Sequence, residues 1–387
     1  MYRGNWFYWG LAGLALAIVL TVTPWAKNTQ NAEKTGPNVW RLAEPIRYEN
    51  LSVFPVLSGK PLDTSSFVTL DDALSTGQVV VTEKGGDVMH RSRDAHPVDV
   101  PQQHGASVNQ LVLVNRSSKP LLLLAGELVS GGKQDRIISK DRIVPPDADP
   151  LPLDVFCVEE GRWSTGAQFS TGQLMVHPSV REKAAVDQEQ GKVWAAVRSG
   201  TTSGAGAANG TPSSAALAEQ RQSVAVTSGA LSRVMTSEAP THSYQRIYKS
   251  KEIGDPVDAF TRQVQERFAR ATANLKAEFV VGVVVAYGDD VAWSDIFASP
   301  ALFGRYWPKL LRSYVVEALA RPKTGEQASV DDAREFLRPL VGHESIETEP
   351  ATYTLKRVTE GKYVEMELEA LRPVDITLHV LKVHRTS

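Results

Sequence analysis

Residues 126–146 read "GELVSGGKQDRIISKDRIVPP", directly after the apolar run Leu121–Ala125. Whether they wrap a phosphate or extend as strands decides the fold. A P-loop needs G-x-x-x-x-G-K-[ST] opening a helix, so that glycine amides hold the phosphates and the hydroxyl takes magnesium. Aligned on Lys133, the first glycine position holds Glu127 and the hydroxyl position holds Gln134. The following "DRIISKDRIV" alternates as a strand does. The stretch is therefore β, and its charges are either solvated on an exposed hairpin or gathered at one mouth of a sheet. Surface ion pairs contribute only about 0–1 kcal/mol, so an exposed hairpin asks nothing special of them. A gathered set of Glu127, Lys133, Asp135 and Arg136 beside the Ser-Gly-Gly turn has a use: a guanidinium fixes a polar ligand bidentately and a lysine adds a point charge for an anion.

Outward from this stretch the texture stays β. "VNQLVLVNRSSKPLLLLAGE" predicts strands over 108–115 and 120–125, and 135–144 and 151–158 add two more across the break "VPPDADP". Upstream, "LSVFPVLSG" is a strand that Pro55 places at an edge. "FVTLDDALSTG" is a short helix ended by Gly77, and "QVVVTEKGGD" is a strand running into a turn. Downstream, 180–198 is a helix weakened by Gly191. Asp255 and Pro256 open a stronger one in which Val257, Phe260, Val264 and Phe268 share a face. "AEFVVGVVVAYGDD" is a buried strand, Ser299–Pro300 starts a helix, and Pro308 starts a second. Ser329 and Asp332 have capping-box spacing. The end of the chain gives three alternating strands. Strands, helices, strand, helices, strands describe an α+β fold: a predominantly antiparallel sheet built from N- and C-terminal strands, with helices from the middle of the chain.

The 387 residues suit one large or two modest domains. A net charge of −2 gives no electrostatic case for nucleic acid, and none is expected as a partner. One cysteine, Cys157, excludes an internal disulfide and a thiolate metal cluster. Residues 6–26 run 21 positions without a charge, with Trp6, Tyr8 and Trp9 at one end and Trp25 at the other. That is the length and aromatic belting of a membrane anchor. A cleaved signal peptide is the rival, although Pro24 spoils the small-x-small site near Ala26. The expected organisation is a flank at 1–5, an anchor at 6–26, a polar tether at 27–47 and a globular domain at 48–386. A small-residue, disordered insert interrupts that domain at about 199–216. The expected location is a single-pass cell-membrane protein with its globular part extracytoplasmic.

Chemistry-bearing motifs are sparse. In "FCVEEGRW", residues 156–163, Cys157 as a nucleophile needs a histidine brought by the fold, and a free cysteine is more often a small core hydrophobe. His90, His96 and His104 match no metal-ligand spacing, so no metal is expected. There is no G-x-S-x-G elbow and no H-E-x-x-H. No cofactor follows from the residues.

Residues 120–163, with "LDDALSTGQVVVTE" before them and "SDIFASPALFGRYWPKLLRSYVVEA" after, resemble the bacterial ARPP family. The name stands for ADP-ribosylglycohydrolase and rhodanese-phosphatase-superfamily-associated protein. The resemblance covers most of 48–386, with G-E…K-Q-D-R and C-x-E-x-G-R-W its most specific blocks. It implies a site at Glu127, Lys133, Gln134, Asp135, Arg136, Glu160, Arg162 and Trp163, and no particular reaction. The expectation is one charged pocket: Lys133, Gln134, Arg136, Arg162 and Trp163 bind a polar or anionic small molecule or a protein partner. In the alternative, a hydrolase acts on a nucleotide or ADP-ribose-type compound with Glu127, Asp135 or Glu160 as general base. A structural envelope protein is the third reading.

Overall fold

The computed structural model describes residues 40–84, 110–158, 167–199, 244–273, 275, 279–321, 323 and 325–385, all within the unit Thr35–Ser387. In it the opening stretch is β: Glu127–Gly131 pairs antiparallel with Arg136–Ile138, and Arg142–Val144 leaves for another sheet. The expected single strand over 135–144 is thus two. It breaks where the Asp141 carboxylate turns inward to accept the Ala125 N–H at 2.8 Å.

Six strands make one sheet, in the order Phe169–Met175, Glu127–Gly131, Arg136–Ile138, Leu151–Cys157, Gln110–Asn115 and Val79–Glu83. A three-stranded sheet joins Arg142–Val144, Leu121–Leu123 and Val68–Thr69, the last two in parallel. Between these sheets lies an apolar cluster that includes Leu113, Leu121, Leu123, Val129, Ile138 and Val155.

The largest sheet takes strands from both ends of the chain, as its alternating segments imply. Leu51–Ser58 pairs with Phe279–Tyr287, that strand with Asp290–Phe297, and that in turn with Ile376–His384. Tyr363–Ala370, Tyr353–Glu360 and His343–Glu349 extend it to one edge. Pro55 is not at an edge: its strand lies between Phe279–Tyr287 on one side and Arg41–Leu42 and Ile46–Tyr48 on the other. Apart from Tyr48, these two short strands occupy residues that the sequence assigns to the tether.

One face of this sheet is covered by the helices Gly254–Thr272 and Pro300–Ala320. They bury Phe260, Val264, Phe268, Tyr306, Leu310 and Tyr314 with Val283, Val285 and Phe297 of the sheet. Each such side chain contributes about 1.5–3 kcal/mol by leaving water. The opposite face carries the short helix Val330–Phe336 over Phe54, Val56, Val284 and Ile296.

Two helix expectations are corrected. Pro300–Ala320 is one helix that passes through Pro308. Gly304 and Pro308 are exposed, so the carbonyl that loses its N–H partner faces water. Leu302, Phe303, Tyr306, Trp307, Leu310 and Leu311 meanwhile bury one continuous stripe. The helix expected at 180–198 is broken: Pro178–Glu182 is α, Lys183–Asp187 is a π turn, Gln188 is left-handed at φ 55°, and Gln190–Ser199 follows. The Gln190 side chain bonds both the N–H and the C=O of Cys157, at 2.8 and 2.7 Å, so tertiary hydrogen bonds set the second start.

No helix among the described residues is long and apolar enough to cross a membrane. The expected anchor at 6–26, most of the expected tether, His90, His96, His104, the 200–216 part of the insert and the block 159–166 with Glu160, Arg162 and Trp163 lie outside the described residues.

Candidate functional site

The turn Leu124–Glu127 joins the small sheet to the six-stranded one. Gly126 takes φ 90° there, a conformation that a Cβ disfavours. Its backbone groups are taken by neighbouring strands: the Gly126 N–H donates to Ile138 O at 2.9 Å and its carbonyl accepts from Val176 N at 3.0 Å. The Glu127 N–H donates to Leu124 O at 3.2 Å, and buried side chains take other groups of the turn. Leu124 N donates to Glu127 Oε2 at 2.6 Å, Ala125 N to Asp141, and Arg181 Nε to Ala125 O at 2.7 Å.

From Ala125 the network closes into a ring. Asp141 Oδ2 lies 2.6 Å from His379 Nδ1, and His379 Nε2 lies 3.0 Å from Asp295 Oδ1. Asp295 also accepts from Arg181 Nη1 at 2.8 Å, from Trp293 Nε1 at 2.8 Å and from the Tyr314 hydroxyl, and Arg181 returns to Ala125. Burial disfavours a charged imidazole, but the Asp141 and Asp295 carboxylates on either side outweigh it and raise His379 to about 9. Burial would raise Asp295, yet Arg181, His379 and Tyr314 hold it far below the usual carboxylate range. The ring thus carries an imidazolium and a guanidinium against two carboxylates.

A second buried set hangs from the same turn. Lys309 Nζ, on the long helix, stands 2.5 Å from Glu127 Oε1 and 2.6 Å from Asp71 Oδ2, with the Tyr306 ring 4.5 Å away. Burial pushes the Glu127 carboxyl up, and Lys309 pulls against it. Burial would lower Lys309, but the two carboxylates hold it above its usual range. The ring is shut from solvent, and in the second set only Asp71 keeps partial exposure, at 21% of its side chain. Their chemistry is positional: they lock two sheets and a helix to one turn.

The Gly131–Arg136 turn, at the other end of the Glu127 strand, differs. Gly131 and Gly132 have positive φ, at 123° and 53°, and their N–H groups donate to Asp135 Oδ1 and Gln168 O. Lys133 N donates to Glu83 at 2.8 Å. Arg136, 1% exposed, donates through Nη1 to the Gln134 and Asp135 carbonyls at 3.0 and 3.4 Å. Its Nη2 is 3.8 Å from Glu83 Oε1, beyond hydrogen-bond reach. Arg136 Nε and Gln134 Oε1 are buried without a hydrogen-bond partner among the described residues, and leaving such groups unpaired costs about 1–3 kcal/mol each.

The structure therefore divides the expected site. Lys133, Gln134, Asp135 and Arg136 come together. Glu127 does not join them: it sits at the far end of its strand, opposite Met175, and faces Lys309. The second block begins beside the first, since Cys157 pairs with Arg136 and Val158 N donates to Asp135 O at 3.5 Å. Cys157 is fully buried, as a core residue is. Among the described residues no group of three metal-ligating side chains could hold an ion. Sequence reasoning missed Asp71, Asp141, Arg181, Asp295, Lys309 and His379. The signal was there for two of them: His379 and Asp295 fall in the inward phase of their strands, with Leu381 and Val383 and with Trp293 and Phe297 respectively.

Residues 40–381 match the family model of the ARG and Rhodanese-Phosphatase-superfamily-associated Protein domain, ARPP-1. No curated protein and no solved structure matches the chain.

Proposed function

The chain belongs to the ARPP-1 family, and on that premise we propose that it is a membrane-anchored binding protein for a small oxyanion, taken up at the Gly131–Arg136 turn. One observation carries this reading. Of the Arg136 guanidinium, Nη1 is occupied by two backbone carbonyls, while the Nε–Nη2 edge holds no hydrogen bond among the described residues. That edge is the one on which a carboxylate or phosphate docks side-on through two parallel bonds. Gln134, whose amide oxygen is also unpartnered, accepts from a hydroxyl or N–H of the same ligand. Lys133 supplies charge nearby, and the family resemblance adds Arg162 and Trp163 as further ligand contacts. The family's description, which associates the domain with a phosphatase superfamily, favours a phosphorylated ligand. Residues 6–26, uncharged throughout, anchor the chain with the globular part extracytoplasmic.

The test is a thermal-shift screen of the full-length chain against inorganic phosphate, nucleotides, ADP-ribose and sugar phosphates, with Arg136→Lys beside the wild type. Lysine keeps the charge and loses the bidentate edge. A ligand at 100–1,000 times its dissociation constant adds about 3–4 kcal/mol of apparent stability, and that gain should vanish in Arg136→Lys. If no compound shifts the wild type, or the shift survives in the variant, the reading falls. Turnover of a bound compound would make the protein a hydrolase, with Asp135 or Glu160 as the base, because Glu127 is committed to Lys309.

A further inference from the structure

A cavity of about 540 Å³ opens on the face of the large sheet opposite the long helices. None of its residues belongs to the turn discussed above. Its floor is aromatic: the Tyr363 and His384 rings stack at 4.8 Å and 18°, and Phe336 meets Tyr363 edge-on at 6.1 Å. Its rim is acidic, with Asp289 from a hairpin and Asp332 and Glu335 from the short helix.

The cations nearby are already spent. Arg338 is held bidentately by Glu360 at 3.1 and 2.7 Å and by Glu335 at 2.8 Å. Lys382 is held by Glu365 at 3.3 Å and by the Arg338 carbonyl at 2.5 Å. Arg321 serves Asp290 at 2.8 Å and Glu317 at 2.9 Å, and His384 Nδ1 meets Asp290 Oδ1 at 2.8 Å. Of the residues that line the cavity, Asp289, Asp290, Asp332 and Glu335 outnumber Arg338 and Lys382, and no described cation pairs with Asp289.

We propose that this cavity binds an organic polycation, an aliphatic polyamine. Aromatic faces attract ammonium groups through their quadrupole, and a net negative cavity concentrates cations. The carboxylates are spread around the space and do not converge on a point: among the described residues no three of them could share a metal ion. A charge distributed along a chain matches that spacing, and a compact inorganic ion does not.

Calorimetric titration of the full-length chain with spermidine tests this. The expected result is saturable one-to-one binding, weakened about tenfold or more in Asp289→Asn/Glu335→Gln and, separately, in Tyr363→Leu. Asp289 and Glu335 are exposed, so the double variant keeps its melting temperature. Arg136→Lys binds spermidine as the wild type does. The proposal is overturned if spermidine gives no saturable heat, if it binds both cavity variants as tightly as the wild type, or if magnesium displaces it at equal concentration.

Discussion

The Lys309 ammonium stands 2.5 Å from the Glu127 carboxylate with both side chains almost wholly buried, at 4% and 1% exposure. Removing one member of such a pair leaves an uncompensated charge in the interior, which costs about 3–5 kcal/mol. Lys309→Met should lower unfolding stability by that order, because it strands Glu127 and Asp71 together. Adding Glu127→Gln should restore part of the loss. Urea denaturation of the wild type, both single variants and the double variant checks this, and strictly additive losses would mean that the pair is not coupled.

Gly126→Ala should destabilise the protein clearly. The new Cβ would lie 2.7 Å from Arg181 Cγ and 2.9 Å from its Cδ, at a backbone φ of 90°. Arg181 cannot swing aside, because Asp295 and the Ala125 carbonyl fix both ends of its head group. Steric conflict and left-handed strain together put the loss above about 2 kcal/mol. A melting temperature within a degree or two of the wild type would show that the turn has room to give.

The ring at His379 makes stability depend on alkaline pH. The folded-state value is raised from 6.5 to about 9. Its contribution is therefore complete below the unfolded value and declines as pH rises through about 9. On the order of 3 kcal/mol is at stake. Denaturation midpoints measured from pH 6 to pH 10 should fall more steeply in the wild type than in His379→Gln. Parallel profiles would place the titration elsewhere.

Cys157 offers an internal reporter. Its thiol is buried and in no disulfide, and a thiol reacts only when exposed as thiolate. Labelling by a disulfide reagent should therefore track unfolding across a denaturant series. Fast stoichiometric labelling of the native protein would instead mark an accessible, reactive cysteine.

Much of the frame was legible because local signals agreed with tertiary demand. The Ser329–Asp332 capping box forms with both of its hydrogen bonds, and the Val257–Phe260–Val264–Phe268 stripe packs as its spacing implies. Several strands were not legible, Asp290–Phe297 and His343–Glu349 among them. Asp290–Phe297 is interrupted by Ser294 and Asp295, polar residues whose burial depends on distant groups. His343–Glu349 is exposed at every position and so carries no apolar alternation. The site was half legible: Lys133–Arg136 cluster because they are neighbours along the chain. The Asp141–His379 and Asp71–Lys309 pairs each span 238 positions, and no local pattern reports a partner so far away.

Those separations bear on the order in which the chain can be assembled. A ribosome delivers Asp141 long before His379, so the carboxylates at positions 141 and 295 are made without the imidazolium that joins them. The Leu124–Glu127 junction remains incomplete until the last strand, Ile376–His384, has emerged. A chain halted before residue 376 should therefore be cut readily near that junction by protease, while the released chain resists. Equal resistance of the two would show that the early sheets mature without their C-terminal keystone.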